Sequence, residues 1–210
     1  QGAFAYKKGH SVQDYYMRTW KGVSDKGLPL WKAYTYKDAN NKDVYVDDYE
    51  KYISSGGDPS KLTETTTSSY GDAVREFVGK SAIPDFVGGF GFDIQFHRFS
   101  LSTNFSYGLG GWGYDGVYAS LMNSGAAIGS TNYHKDIRNS WTPERPTNLP
   151  ILTNEADQLK YASSTSTRFL TSRSFLSLTN ARISYDIPKT LLQRLGLSGA
   201  SVYVSGDNLF

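Results

Sequence analysis

The sequence of 210 residues contains no cysteine, which excludes a disulfide scaffold, a thiolate metal site and a cysteine nucleophile. Its three histidines are scattered without the spacing of metal ligands. No run of about eighteen apolar residues occurs, so a transmembrane helix is excluded. Charge of one sign does not predominate, because 22 basic and 20 acidic residues leave a net charge of +2. No stripe of lysine or arginine is present, and a nucleic-acid partner is therefore not expected.

Motifs of catalysis and nucleotide binding are also missing. The chain has neither G-x-S-x-G nor a phosphate-binding loop, and the acidic residues near Asp48 lack the spacing of a calcium loop. No metal or cofactor is expected, and the protein is not expected to be an enzyme. A β-rich hydrolase that uses loop acids such as Asp115 and Glu144 is the weakest alternative, because nothing places two carboxylates at a working distance.

Aromatic residues, by contrast, make up 15% of the chain, and many lie in the stretch 86–109, FVGGFGFDIQFHRFSLSTNFSYGL. Large apolar side chains alternate there with small or polar ones on both sides of a pivot at His97 and Arg98. This period of two predicts strands at about 86–96 and 98–109, each with an apolar and a polar face. Each strand is near the length of about ten residues that a tilted strand needs to cross a bilayer.

Two more strands are predicted towards the C-terminus, at about 174–187 and 200–210. In the first, the odd-numbered residues from 181 to 187 form an apolar face opposite a polar one. In the second, the faces stay undecided, because valines on one side oppose Tyr203 on the other.

The connections between the strands differ sharply in length. The link at residue 97 is nearly zero and the link 188–199 is short, whereas about 37–85 and 110–173 are predicted to be long loops. Alternation alone fits a soluble β-sandwich as well as a membrane barrel. The separation into a short-loop end and a long-loop end favours an all-β fold, namely a segment of an antiparallel transmembrane β-barrel with long extracellular loops. About four to six strands cannot close a barrel alone, so other polypeptide is needed.

Specific motifs along the chain carry a resemblance to a known family. They are DYYMR (14–18), WKGV (20–23) with GLPLW (27–31), VGK (78–80) with IP (83–84) and GGFG (88–91), WTPE (141–144), SFLSL (174–178) running to YDIP (185–188), and VYVSGDNLF (202–210). In this order they resemble the C-terminal part of the SusC/RagA-like TonB-dependent outer-membrane transporters.

The resemblance implies a barrel of roughly 22 strands, of which residues 1–210 form a late arc within one barrel domain. The plug and the N-terminal regions of the family are absent from this chain. It further implies the outer membrane of a Gram-negative cell, contact with lipid or lipopolysaccharide, and the remainder of the barrel polypeptide. The implied partners are a SusD-like surface lipoprotein and TonB, which acts through a region outside this chain. The implied substrates are oligosaccharides or peptides.

The candidate substrate-binding residues lie in the second long loop and combine aromatic rings with hydrogen-bonding groups. They are Trp112, Tyr114, Asp115, Tyr118 and Asn123. Sugars bind through apolar C–H faces on aromatic rings, with Asp and Asn side chains bonded to their hydroxyls. Packing of the same rings within an ordered loop is the other interpretation. The aromatic loops also leave a second function open, that of a soluble glycan-binding β-sandwich.

Overall fold

A computed structural model describes residues 2–124, 129, 132–153 and 155–209. The chain divides into two compact units. The first unit comprises residues 1–82 and 113–171, and the second comprises 83–112 and 172–210. The sequence patterns do not predict this division.

The described elements are mostly strands, with a few short helices between them. The strands are β1 (Asp14–Arg18), β2 (Trp20–Val23), β3 (Pro29–Lys37), β4 (Asp43–Val46), β5 (Thr63–Thr67), β6 (Arg75–Ser81), β7 (Pro84–Phe96), β8 (Phe99–Gly110), β9 (Trp112–Tyr114), β10 (Leu170–Ser172), β11 (Phe175–Asp186) and β12 (Ser201–Asp207). The α-helices are α1 (Tyr49–Ser54), α2 (Gly116–Leu121) and α3 (Lys189–Leu192). Turns of 3-10 helix occupy Pro59–Lys61, Lys135–Asn139, Asp157–Tyr161, Thr167–Phe169 and Gln193–Leu195.

The first unit is organised around β3, which pairs with β2, β4 and β5. Successive side chains of a strand point to opposite faces, and along β3 buried positions alternate with half-buried ones. Trp31 is fully buried, with its ring 5.8 Å from that of Trp20 and 5.3 Å from that of Tyr70. Pro29 begins the strand, where its missing N–H disturbs no ladder.

The segment 37–85, which the sequence pattern predicts to be a loop, contains β4, α1, β5 and β6. The polar composition of this segment predicts a loop, but β-branched residues also favour strands. The strand β5, with the sequence TETTT, pairs with β3 from Trp31 to Thr35. The short helix α1 begins after Asp48, whose side chain accepts a hydrogen bond from the Lys51 N–H. No helix in the described part of the chain is long and apolar enough to span a bilayer.

The second unit contains a four-stranded antiparallel sheet in the order β12–β11–β8–β7. The structure has strands at Pro84–Phe96, Phe99–Gly110, Phe175–Asp186 and Ser201–Asp207, within three residues of the bounds that the pattern predicts. Phe210, the last residue of the predicted strand 200–210, lies outside the described residues.

The register of this sheet places apolar residues beside one another. Ile94, Leu101, Ile183 and Val204 form one row across the four strands, since residues directly opposite share a face. The rings of Phe90 and Phe105, two rows further along the same face, stack at 5.0 Å. Three of the row's members remain about half exposed or more, Ile94 at 52%, Ile183 at 55% and Val204 at 75%. The face is therefore an uncovered apolar surface.

A β-bulge in β11 keeps this face apolar along the whole strand. Leu178 lies opposite Phe105 and Asn180 opposite Asn104, so Thr179 is the extra residue between two paired positions. The Thr179 hydroxyl donates to the Asn104 carbonyl at 2.8 Å. Because of the bulge, even-numbered residues before it and odd-numbered residues after it share one face. Ala181 therefore lies on the same side of the sheet as Leu178.

Gly27 allows the turn between β2 and β3 to pack against a distant loop. Its φ of +77° is in the left-handed region, and a Cβ there would lie 2.6 Å from Cε3 of Trp141 and 2.8 Å from Cβ of Ile151. The Ile151 N–H donates to the Gly27 carbonyl at 2.9 Å. The loop of the WTPE motif is thus anchored on a position that only glycine fits.

Gly27→Ala should therefore cost more than Gly56→Ala, a matched control with φ of +88° and open space at its Cβ position. Both variants carry the strain of a positive φ, but only the first forces an overlap, which typically costs about 1–3 kcal/mol. Hydrogen exchange of the peptides around residues 141–151 in the full-length polypeptide would measure the difference. Equal exchange in the two variants would contradict the packing argument.

Candidate functional site

The polar face of the four-stranded sheet is the first candidate surface. Asp93, Ser102, Arg182 and Ser205 form a row in register across the strands. A depression of about 480 Å³ lies over this face, and besides Ile94 and Leu101 its lining consists of polar residues of three strands: Asp93, Gln95, Ser100, Ser102, Arg182 and Ser184. Hydroxyl, amide, carboxylate and guanidinium groups are all available there, and the two charges of opposite sign favour no single ligand charge.

An aromatic contact holds the cation of this row. The Arg182 guanidinium carbon lies 3.9 Å from the ring centroid of Tyr203, which β12 places on the polar face beside Ser184. This cation–π contact fixes a side chain that is otherwise exposed. It also settles the faces of β12: Val202 and Val204 belong to the apolar face, and Tyr203 belongs to the polar one.

The loop residues predicted from the sequence lie partly in a hydrophobic cluster. Tyr114 and Tyr118 pack against the buried side chains of Ala119, Met122 and Phe169. Both tyrosine rings meet the Phe169 ring edge-on at 6.2 Å. Burial raises the pKa of both phenols. The structure therefore gives these two rings a packing contact within the loop.

Tyr118 also takes part in a series of hydrogen bonds beside this cluster. Its hydroxyl donates to a carboxylate oxygen of Asp136 at 3.0 Å, and its ring lies edge-on to His134 at 4.9 Å. The Asp136 N–H in turn donates to Nδ1 of His134 at 3.2 Å. Besides burial, the Asp136 acceptor raises the pKa of Tyr118, because it stabilises the protonated phenol.

Asp115 is the N-cap of α2. Its carboxylate accepts the Tyr118 N–H at 2.8 Å, and its own N–H donates to the Phe169 carbonyl at 2.9 Å. Trp112 is half-buried in β9 and is part of the second unit, whereas Asn123 is half-buried just beyond α2 in the first unit. The described contacts thus bring together Tyr114, Asp115 and Tyr118.

Arg168 is a functional candidate that the sequence patterns did not single out. Its guanidinium donates to the Ala162 carbonyl at 2.7 Å and lies 4.9 Å from the rings of both Trp20 and Phe169. Burial lowers its pKa to about 10, so it is still charged at neutral pH. A Ser/Thr tract precedes it, and no local pattern distinguishes it from a solvated arginine.

Across the residues that the structure describes, no set of three or more His, Asp or Glu side chains is close enough to bind an ion.

Comparisons with known proteins give transporters and a receptor. No family model matches the chain. It is 28% identical, over 137 residues, to "TonB-dependent receptor P3" of Formosa agariphila; the match covers 65% of this chain and 13% of that protein.

Solved structures of a peptide transporter share the fold of this chain. The RagAB peptide transporter matches with a TM-score of 0.62 and 26% identity, over 94% of this chain and 19% of that chain. The RagAB peptide importer matches in its closed-closed state with a TM-score of 0.61, 25% identity and the same coverage. Its open-open state matches with a TM-score of 0.60 and 26% identity, over 94% and 18% of the two chains.

These likenesses confirm two predictions made from the sequence. The chain has the fold of an antiparallel β-barrel segment that is incomplete on its own, and it resembles SusC/RagA-like TonB-dependent transporters. It spans less than a fifth of the length of the relatives it matches. Those relatives are named as receptors and transporters, which agrees with a function other than catalysis.

The capping contact of Asp115 can be tested with two substitutions. Asp115→Ala removes the acceptor for the Tyr118 N–H and should cost about 1 kcal/mol, which corresponds to roughly fivefold faster hydrogen exchange of that amide. Asp115→Ser keeps an N-cap oxygen and should retain most of the protection. If the Ser variant exchanged as fast as the Ala variant, the capping interpretation would be wrong.

Proposed function

On the premise that this chain resembles the SusC/RagA-like TonB-dependent transporters over most of its length, we propose that it is a late arc of the barrel of an outer-membrane nutrient importer. The importer takes up oligosaccharides or peptides together with a SusD-like surface lipoprotein. TonB supplies the energy through a region outside this chain. The barrel arc contributes a wall that faces lipid on one side and the transport lumen on the other.

The observation that carries this proposal is the separation of the two faces of the sheet. One face has apolar rows that stay exposed, such as the row of Ile94 and Ile183. The other has the row of Asp93 and Arg182. An outward apolar band and a polar interior, alternating along each strand, are the requirements of a transmembrane barrel.

The ends of the strands support an orientation in the membrane. At one end, the turn at His97 and the short link 187–200 lie together, since the Asp186 N–H donates to the Arg98 carbonyl at 2.8 Å. At the opposite end, the strands β8 and β11 are connected by the segment 111–174. Outer-membrane barrels have short periplasmic turns and longer external loops, so the short end is assigned to the periplasm.

The two edges of the sheet support a role for further polypeptide. In the described part of the chain, β7 pairs with β8 alone and β12 pairs with β11 alone. An edge with unpaired N–H and C=O groups is not tolerated against lipid. The remaining strands of the barrel polypeptide are proposed to pair with these edges and to close the wall.

The long loops are proposed to face the lipoprotein and the substrate. RagAB is a peptide transporter and importer. For this chain, both peptides and oligosaccharides are retained as substrates. Trp112, Tyr114, Asp115, Tyr118 and Asn123 are proposed to contribute to substrate binding, with Tyr114 and Tyr118 also packing the loop.

The soluble glycan-binding β-sandwich is less well supported. A sandwich buries the inner face of each sheet against a second sheet. Here the apolar row remains exposed, with Val204 at 75%. Nothing in the described contacts favours this alternative over the barrel.

The membrane-facing assignment predicts that Ile183→Arg and Ser184→Arg differ, although the two positions are neighbours in β11. Arginine on the lipid face at mid-depth should cost about 2–4 kcal/mol, whereas arginine on the polar face should be tolerated. The measurement is the folded fraction of the full-length barrel in the outer-membrane fraction, read from its heat-modifiable mobility. Equal losses in both variants would argue against two distinct faces.

The transport function can be tested with the full-length polypeptide and its lipoprotein expressed together in cells. Uptake of a substrate oligosaccharide or peptide should stop when an uncoupler dissipates the proton-motive force, because TonB-dependent import requires that energy. Uptake that continued unchanged would indicate a passive pore. Recovery of the full-length polypeptide from the soluble fraction would reject the barrel itself.

A further inference from the structure

We propose that a cavity at the end of the β1–β6 ladder binds the carboxylate of a ligand through Arg18 and Arg75. The cavity has a volume of about 310 Å³ and lies within the first unit. Pockets of about 300–1,000 Å³ are typical of small-molecule sites. The inference rests on the proposed import function, because an imported acidic oligosaccharide or peptide would supply the carboxylate.

The first argument is the register of the ladder. Arg18 and Arg75 are direct partners across β1 and β6, with Met17 and Glu76 as the preceding pair. Like charges directly opposite each other destabilise an antiparallel pair. An arginine placed one position earlier or later in either strand would point to the opposite face of the ladder. The two cations would then be kept apart without any change to the strands. A ligand anion placed between the two guanidinium groups would be attracted to both of them.

The second argument is that aromatic rings hold both cations in place. The Arg18 guanidinium carbon lies 4.2 Å from the ring centroid of Tyr70, and its Nε–H donates to the Ala73 carbonyl at 3.0 Å. The Arg75 guanidinium carbon lies 5.1 Å from the ring centroid of Tyr16. Guanidinium groups that are already fixed lose less entropy when they bind a ligand.

The third argument is the missing counterion of Arg18. Within the described part of the chain, the half-buried Arg18 forms no ion pair. Lys32, a half-buried cation of the same unit, shows the usual arrangement, with Glu76 at 2.8 Å and Glu64 at 3.5 Å. Partly buried charges are generally paired. A ligand anion supplies the pair that Arg18 lacks.

The carboxylates that line the cavity do not fill this role. Asp48 accepts the Tyr16 hydroxyl at 2.5 Å and the Lys51 N–H at 3.0 Å. Burial, together with this acceptor, raises the pKa of Tyr16, so the phenol stays protonated and keeps its bond to Asp48. Asp47 is exposed at the cavity rim. Lys51 adds a third cation to the lining.

The geometry selects the class of ligand. Guanidinium groups are planar forks that bind a carboxylate with two parallel hydrogen bonds. Two such forks on one cavity wall suit a carboxylate better than they suit a neutral hydroxyl group. The carboxylate has two sources among importer substrates, the C-terminus of a peptide and the uronic acid of an oligosaccharide.

The test uses the full-length transporter with its lipoprotein, purified in detergent, and two matched pairs of probes. One pair is a short peptide with a free C-terminus and neutral side chains, and the same peptide amidated. The other is a glucuronate-containing oligosaccharide and its neutral glucose counterpart. We expect at least one carboxylate probe to bind tenfold or more tightly than its neutral partner by calorimetry, and the preferred pair identifies the source.

Arg18→Gln should reduce the affinity for that carboxylate probe by at least tenfold and leave the neutral probe unchanged. Arg194→Gln is the matched control, because it removes the same group from an exposed position outside the cavity. Equal affinity of Arg18→Gln and the unmodified protein for the carboxylate probe would overturn the proposal. So would equal affinities within both probe pairs for the unmodified protein.

A second measurement covers the case in which Arg18→Gln fails to assemble. Raising the ionic strength should weaken binding of the carboxylate probe to the unmodified protein and leave the neutral probe unaffected. An affinity independent of salt would reject the site. Energy-dependent uptake without a carboxylate preference would overturn this inference alone, whereas loss of energy dependence would overturn the proposed function.

Discussion

The cross-strand register of β7, β8, β11 and β12 is the constraint on which the rest of the second unit depends. A slip of one residue in β11, for example, would move Arg182 among the apolar rows and Ile183 among the polar ones. The extra residue at Thr179 is part of this constraint, because it shifts the alternation of β11 by one residue. The apolar side chains before and after the bulge therefore lie on the same face. The chemistry of both surfaces therefore follows from backbone pairing rather than from any single side chain.

The sequence predicted the strands whose alternation is strict, and it failed where alternation is weak. Large apolar residues occupy every second position from Phe90 to Phe96, and in the paired part of β8 only Thr103 departs from this pattern, so the faces follow from the pattern alone. Tyr203 could not be assigned, because a tyrosine suits either face until the stacking partner Arg182 is known. The threonines of β5 looked like a loop, since a strand stabilised by pairing with β3 needs no apolar alternation.

The loop residues show a different limit of sequence reasoning. The side-chain chemistry that makes Tyr114, Asp115 and Tyr118 candidate ligands also serves packing against Phe169 and capping of α2. No sequence pattern links Arg18 with Arg75, because they are far apart in the chain and only the pairing of β1 with β6 makes them neighbours. Composition identifies the available groups, whereas register decides which of them meet.

The segment 111–174, which separates β8 from its neighbour β11, has a consequence for the order of folding. The β7–β8 hairpin can form from residues adjacent in the chain, but the β8–β11 ladder must wait for a long loop to close. Loop-closure entropy grows only with the logarithm of loop length, so the final sheet loses little stability by this arrangement. Until the later strand arrives, however, the backbone groups along the β8 edge of the hairpin stay unpaired, and in this interval the chain is most prone to pair with the wrong partner.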